Sequence, residues 1–212
     1  MRTIETTNDL AAGLAHLAKT DRRLKKVIEV AGELPLRRSE AGFRGLARIV
    51  VGQQLSVASA RAIWSRFTDA FPELTPDAID RARATKFRKA GMSAPKIRTL
   101  RAVAAACRNG LDLDALADMA AEDAHARLCE VHGIGPWTAD IYLLFCLGHP
   151  DVFPAGDLAL RMAVADAFGM DAPADPDDIA TIAEKWSPWR SVAATLFWAY
   201  YGARKAKKMA PV

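Results

Sequence analysis

Cysteine and histidine are scarce in this chain, three and four in 212 residues, and that limits the chemistry open to it. Cys107, Cys129 and Cys146 lie far apart in apolar helical contexts, so they read as reduced core thiols and not as a disulfide or metal framework. His16, His125 and His149 share no ligand spacing with them, and no transition-metal site is expected. Long apolar runs are missing too. The longest, residues 141–147, is far short of the roughly 20 residues a membrane crossing needs. The N-terminus also lacks the basic-then-apolar order of a secretory signal. A cytoplasmic protein with no membrane partner is the expectation. Alternating strand patterns, internal repeats and low-complexity linkers are absent as well, which leaves all-α as the expected class.

What is present fits a small helical protein with a mild basic bias. An apolar share of 51% can fill one substantial core, or two small lobes sharing a cleft. The net charge of +4 says less than its distribution. Arg22, Arg23, Lys25 and Lys26 cluster near the start, residues 81–98 carry seven basic residues and no acid, and Arg204, Lys205, Lys207 and Lys208 close the chain. These are either solvated helix faces or a surface for a polyanion. Helix punctuation recurs throughout. Ser39 is expected to cap a helix that turns Phe43, Leu46, Ala47 and Val50 inward, and Ser56 to cap the next, with Ile63 and Phe67 inside. Thr75-Pro76, Asp175-Pro176 and Ser187-Pro188 each set a capping oxygen before a proline suited to the first helical turn. Gly91, Gly110, Gly148 and Gly169 fall where helices should end. About ten helices are expected.

The densest information lies between Leu128 and Leu160. Leu128, Val131 and Ile134 keep helical spacing, Gly133 and Gly135 permit a tight turn or a close backbone approach, and Pro136 is preorganised for the start of the next helix. Two helices therefore meet at a hairpin, and with no acid in the turn a phosphate can come near its N–H groups. An ordinary αα-hairpin fits the same glycines. Asp157, before Leu158, is placed to cap a helix.

The run Leu128-Cys129-Glu130-Val131-His132-Gly133-Ile134-Gly135-Pro136-Trp137-Thr138-Ala139-Asp140 resembles the helix-hairpin-helix of the DNA glycosylase superfamily. Asp151-Val152-Phe153-Pro154-Ala155-Gly156-Asp157 resembles the loop that delivers that superfamily's catalytic aspartate. Ile49-Val50-Val51-Gly52-Gln53-Gln54-Leu55-Ser56-Val57, Gly91-Met92 and Trp186-Ser187-Pro188-Trp189-Arg190-Ser191 match its 3-methyladenine DNA glycosylase II branch, in order, over about residues 40–200. The implied form is compact, without the N-terminal β domain that some members add.

The resemblance implies one glycosylase unit over residues 1–212, with two helical lobes flanking a DNA-binding cleft. One lobe takes residues 1–38 and 150–212, the other residues 39–149 with the hairpin. It implies a monofunctional enzyme of base excision repair that hydrolyses the N-glycosidic bond of 3-methyladenine or 7-methylguanine in duplex DNA. Asp157 would be catalytic, with Asp151 structural. Trp137 and Trp198 would wall the base pocket, with Ile141 in place of a family aromatic and Tyr142 beside it. Gln54 or Leu55 would wedge into the duplex. His132, Gly133, Ile134, Gly135 and Thr138 would grip phosphate. Bifunctional relatives carry a lysine where this chain has Trp137, so no Schiff base forms and the strand stays intact. The four clustered cysteines of an iron-sulfur cluster are missing. No cofactor is implied, apart from a monovalent cation, Na+ or K+, on the carbonyls of Cys129, Val131 and Gly133. Trp64, Trp186 and Trp189 are assigned to packing. The expected protein is a monomer whose partner is damaged double-stranded DNA, located at the nucleoid in a bacterium. Two alternatives stay open: the same fold acting on uracil, hypoxanthine or oxidised guanine, and a non-catalytic helix-hairpin-helix DNA-binding module.

Overall fold

The computed structural model describes residues 3–209, and among them every regular element is helical. The chain opens with α1 (Thr7–Thr20) and α2 (Leu24–Ala31), then runs through α3 (Gly42–Gly52), α4 (Val57–Ala70), α5 (Pro76–Arg81), α6 (Ala84–Lys89), α7 (Ala94–Arg108), α8 (Ala121–Cys129) and α9 (Pro136–Ile141). A wider π-helical stretch, Tyr142–Leu147, continues α9, and α10 (Leu158–Phe168), α11 (Pro176–Ala183) and α12 (Arg190–Met209) complete the chain. None is long and apolar enough to cross a membrane. The helices sort into two compact units, residues 1–38 with 148–212, and residues 39–147.

Local chemistry sets many of the boundaries. Ser56, Thr75, Asp157 and Asp175 each accept a backbone N–H from the first turn of the helix they open, satisfying donors that have no intrahelical partner. Gly91, Gly110, Gly148 and Gly169 all take positive φ just past a helix end. Two expected caps are corrected. Ser39 does not cap α3; its N–H donates to the Phe145 carbonyl at 2.8 Å, and α3 starts three residues later. The hydroxyl of Tyr142 takes over the capping role by accepting the Gly42 N–H at 3.0 Å. Ser187 does not cap α12 either. The Ser187-Pro188 bond is cis, α12 starts at Arg190, and the Ser187 hydroxyl donates to Asp151.

In the first unit α12 packs against α1, α2 and α10. Trp186 is fully buried at its centre, with ring contacts to Phe153, Phe168 and Phe197, and its indole N–H donates to Asp21. Trp189 touches α1 at Gly13, where an added Cβ would lie 2.9 Å from the indole, so both tryptophans are packing residues, as expected. The second unit is built around Leu46, Val50, Phe67, Phe71, Phe87 and Leu100, all buried, with the three phenylalanine rings in mutual contact. Lys208 of the basic tail lies outside the residues whose side chains are described.

Two carboxylates lock the first unit. Arg23 hydrogen-bonds Asp21 and holds its carboxyl below the usual range, against the opposing effect of burial. Burial pushes Asp151 up, but hydrogen bonds from Arg190 and Ser187, and the charge of Arg190, outweigh it and leave the group lowered. A lowered carboxyl adds stability above its unfolded value, about pH 4, and loses it as pH falls through the folded value. Asp151→Asn is therefore expected to cost about 2 kcal/mol at neutral pH in urea denaturation. That cost should shrink as pH falls through the folded value, where the wild-type carboxyl is itself protonated; a cost independent of pH would contradict the pairing.

Candidate functional site

The first unit builds a rigid mount for Asp157. The segment before it is pinned to the start of α12: Ser191 accepts the Val152 N–H at 3.0 Å and donates to the His149 carbonyl at 2.6 Å, while its own N–H donates to the Pro150 carbonyl. Arg190 holds Asp151 through two nitrogens, which makes Asp151 structural. Val152 and Pro154 are buried, and the Asp157 N–H closes the turn on the Pro154 carbonyl at 2.9 Å. Asp157 then opens α10. Its Oδ1 accepts the Leu160 N–H at 3.1 Å and the indole N–H of Trp198, two turns along α12, also at 3.1 Å. Asp157 and Trp198 are both half-buried, and Leu158 beside them is exposed. The sequence suggested the cap; the donation from Trp198 had no local signal, because the two residues are 41 positions apart.

The second unit carries the hairpin. Gly133 has φ +85°, and an added Cβ would collide with the Thr99 hydroxyl of α7, so the fold itself requires glycine there. Gly135 differs: its φ is −94° and an added Cβ would enter open space. Neither conformation nor packing within the protein requires glycine at 135, so a small residue there keeps the backbone open to approach from outside. His132 is exposed beside it. Ile134 is a core residue, so only its backbone faces the turn. Thr138 is corrected as a phosphate contact: it is buried, and its hydroxyl accepts the Gln53 amide at 2.8 Å. Behind the hairpin, His125 lies 3.5 Å from Asp140 and ties α8 to α9.

Gln54 and Leu55 are both exposed in the loop between α3 and α4. Gln54 has φ +55°, the one non-glycine residue of positive φ among those described. Such a conformation is held at a cost of order 1–3 kcal/mol, and it fixes where that side chain leaves the loop. The neighbours are braced, with Gln53 on Thr138 and the Lys96 ammonium donating to the Val51 carbonyl at 2.6 Å.

Trp137 is 39% exposed and lines a cavity of about 340 Å³ with Ile141, Leu55 and Trp64. Arg48 and Arg61 line it too, with the guanidiniums of Arg44 and Arg48 about 6 Å from the Trp64 ring. Trp64 is thus half-exposed at a recess and not merely packed, which helical spacing alone could not reveal. Tyr142 is corrected in the opposite sense. It is fully buried, its hydroxyl serves Gly42, and burial pushes its pKa up, so it forms no open pocket wall. Among the described residues no group of three or more His, Cys, Asp or Glu is arranged to hold a metal.

Gly133→Ala is expected to lower stability by at least about 2 kcal/mol, from positive φ and the Thr99 clash together. The double variant with Thr99→Ala should recover part of that loss in urea denaturation. An unshifted midpoint in the single variant would mean the turn is not constrained as described.

The chain matches the family described as HhH-GPD superfamily base excision DNA repair protein over residues 47–188. It is 29% identical over 204 residues to DNA-3-methyladenine glycosylase 1 of Schizosaccharomyces pombe, covering 92% of this chain and 89% of that one. Among solved structures, a DNA-3-methyladenine glycosidase from Bacillus halodurans is similar with a TM-score of 0.82 at 29% identity, over 98% of this chain and 95% of its own. The S. pombe 3-methyladenine DNA glycosylase in complex with abasic DNA follows at 0.79 and 29% identity, over 94% and 98%. The resemblance read from the hairpin, the loop to Asp157 and the Gln53-Gln54 segment holds, and the chain belongs to the HhH-GPD superfamily of base excision DNA repair proteins.

Proposed function

We propose that this protein is a monofunctional DNA glycosylase that removes alkylated purines, 3-methyladenine and 7-methylguanine, from duplex DNA and leaves an abasic site. The carrying observation is the Asp157 carboxylate, fixed at the start of α10 by two N–H donors on one oxygen. Cleaving an N-glycosidic bond builds positive charge on the sugar, and a preorganised carboxylate stabilises it and orients or deprotonates the attacking water. A purine alkylated at N3 or N7 departs neutral, so it needs little acid assistance. Such a base must first leave the stack, at a cost of a few kcal/mol, and Gln54 or Leu55 is the side chain that fills the gap. Trp137 offers an electron-rich face to the cationic base and no amine for a Schiff base. The hairpin backbone at Gly133 and Gly135 holds phosphate.

Both units act in this reading as one enzyme, which works as a cytoplasmic monomer on damaged double-stranded DNA. The carbonyls of Cys129, Val131 and Gly133 are the candidates for a monovalent cation beside the phosphate. The Val131 oxygen accepts the Ile134 N–H at 2.9 Å, and a carbonyl has a second lone pair for such a ligand.

One observation favours a second lesion class. The cavity beside Trp137 carries two guanidiniums and no carboxylate among its lining residues, an electrostatic setting kinder to a neutral base such as hypoxanthine than to a cation. Single-lesion duplexes treated with alkali after incubation separate the two, since cleavage appears only where a base was removed.

Asp157→Asn should slow single-turnover excision of 7-methylguanine by about 100-fold or more while folding and duplex affinity stay intact; full retained activity would remove the role assigned to it. Trp198→Phe keeps an aromatic ring and loses the donor to Asp157. A hydrogen bond to a charged group is worth about 1.5–3 kcal/mol, so the rate should fall about tenfold or more. In the Asp157→Asn background the same change should add little, because the two act as one unit. Additive losses would show that Trp198 acts independently.

A further inference from the structure

The basic stretch at residues 81–98 is not absorbed by the excision chemistry, and the structure shows where its last members go. Lys86 lies over the Phe71 ring and serves packing. Lys96 and Arg98, on α7, instead line a cavity of about 310 Å³ with Ser93, with Gln53 and Gln54 of the loop after α3, and with His132 and Gly133 of the hairpin. Three segments far apart in sequence meet there. No Asp or Glu and no Phe, Tyr or Trp lines it, so it offers no carboxylate partner for a cation. It offers donors. An ammonium has three N–H groups, of which Lys96 places one on the Val51 carbonyl, and a guanidinium presents five in a planar fork. Ser93 opens α7 without its hydroxyl capping that helix.

We propose that this cavity seats a backbone phosphate of duplex DNA, held by Lys96 and Arg98 with Ser93 and His132 as further donors, so that side-chain charge from α7 adds to the hairpin backbone at Gly133 that borders it. The proposal rests on the glycosylase reading, which brings DNA to both the loop and the hairpin. Burial lowers the Lys96 pKa, and an anion beside the ammonium offsets that desolvation. The consequence is mechanical. A phosphate held at this cavity anchors the backbone next to Gln54, so the side chain that fills the gap is fixed in register with the strand it enters.

The experiment uses Arg98→Ala, an exposed position on α7, and follows binding to an undamaged duplex across a salt series. Affinity is expected to fall about five- to tenfold at moderate salt, and the slope of log K against log salt to lessen by about 0.9, the amount for one lost phosphate contact. Arg98→Lys should restore the slope. A scan of single methylphosphonate linkages, each removing one backbone charge, should reveal one position at which wild type weakens and Arg98→Ala weakens no further. An unchanged slope, or additive losses at every linkage, overturns the proposal. Inorganic phosphate is a separate arm: thermal stabilisation by it that is lost in Arg98→Ala while the DNA slope stays unchanged would make this a free-anion site, and would equally overturn the assignment. If wild type releases no modified base, the glycosylase reading has failed; if it does and the slope is unmoved, only the α7 grip has.

Discussion

One carboxylate oxygen organises the first unit. Asp157 Oδ1 receives a backbone N–H from the helix it opens and an indole N–H from another helix, so its position is fixed from two directions. Such a mount is effective only if the approaching chain is fixed too, and α12 supplies both ends of that restraint. Arg190 and Ser191 hold residues 149–152 at the start of the loop, and Trp198 holds its last residue. The helix thus acts as a ruler laid along the loop. The Trp186–Ser191 segment gains a physical meaning from this: Trp186 seats the helix start in the core, and the residues that follow hold the loop leading to the carboxylate.

The second unit solves a different problem, presenting backbone and loop side chains to a large anionic ligand without letting them drift. Its devices are crosslinks and close contacts between neighbouring turns. Gln53 reaches Thr138, Lys96 reaches Val51, Gly133 nests against Thr99, and Tyr142 caps α3. Gln53 and Thr138 spend on each other polar groups that a surface reading would have offered to the ligand. Thr138 was expected to touch phosphate; holding the adjacent loop is the structural alternative to doing so.

This explains which parts of the site were legible in the sequence. Caps, glycine stops and the hairpin are local: Ser56, Thr75, Asp157 and Asp175 act within a few residues of where their chemistry is written, and all were readable. Side-chain direction is not local in the same way. Tyr142, set beside Ile141 in the pocket by the resemblance, belongs to the core at the point where α9 widens into a π-helical stretch. Trp64 erred the other way, since periodicity alone cannot tell a tryptophan in the core from one at the wall of a recess. Ser39 failed because a better-placed hydroxyl, 100 residues away from Gly42, took the same N–H.

The two aspartates of the loop, six residues apart, show how environment divides labour between identical groups. Asp151 faces a guanidinium at 2.7 and 3.0 Å, so most of its field is cancelled by a fixed cation and little remains for a sugar that becomes positive. Leu160 and Trp198 donate to Asp157 through neutral N–H groups, which orient a carboxylate without cancelling its charge. A group proposed to stabilise a transient cation needs rigid placement first, and these two donors supply it. One carboxylate is fastened by a guanidinium and the other is held by a backbone and an indole N–H, a difference that neither residue type nor spacing contains.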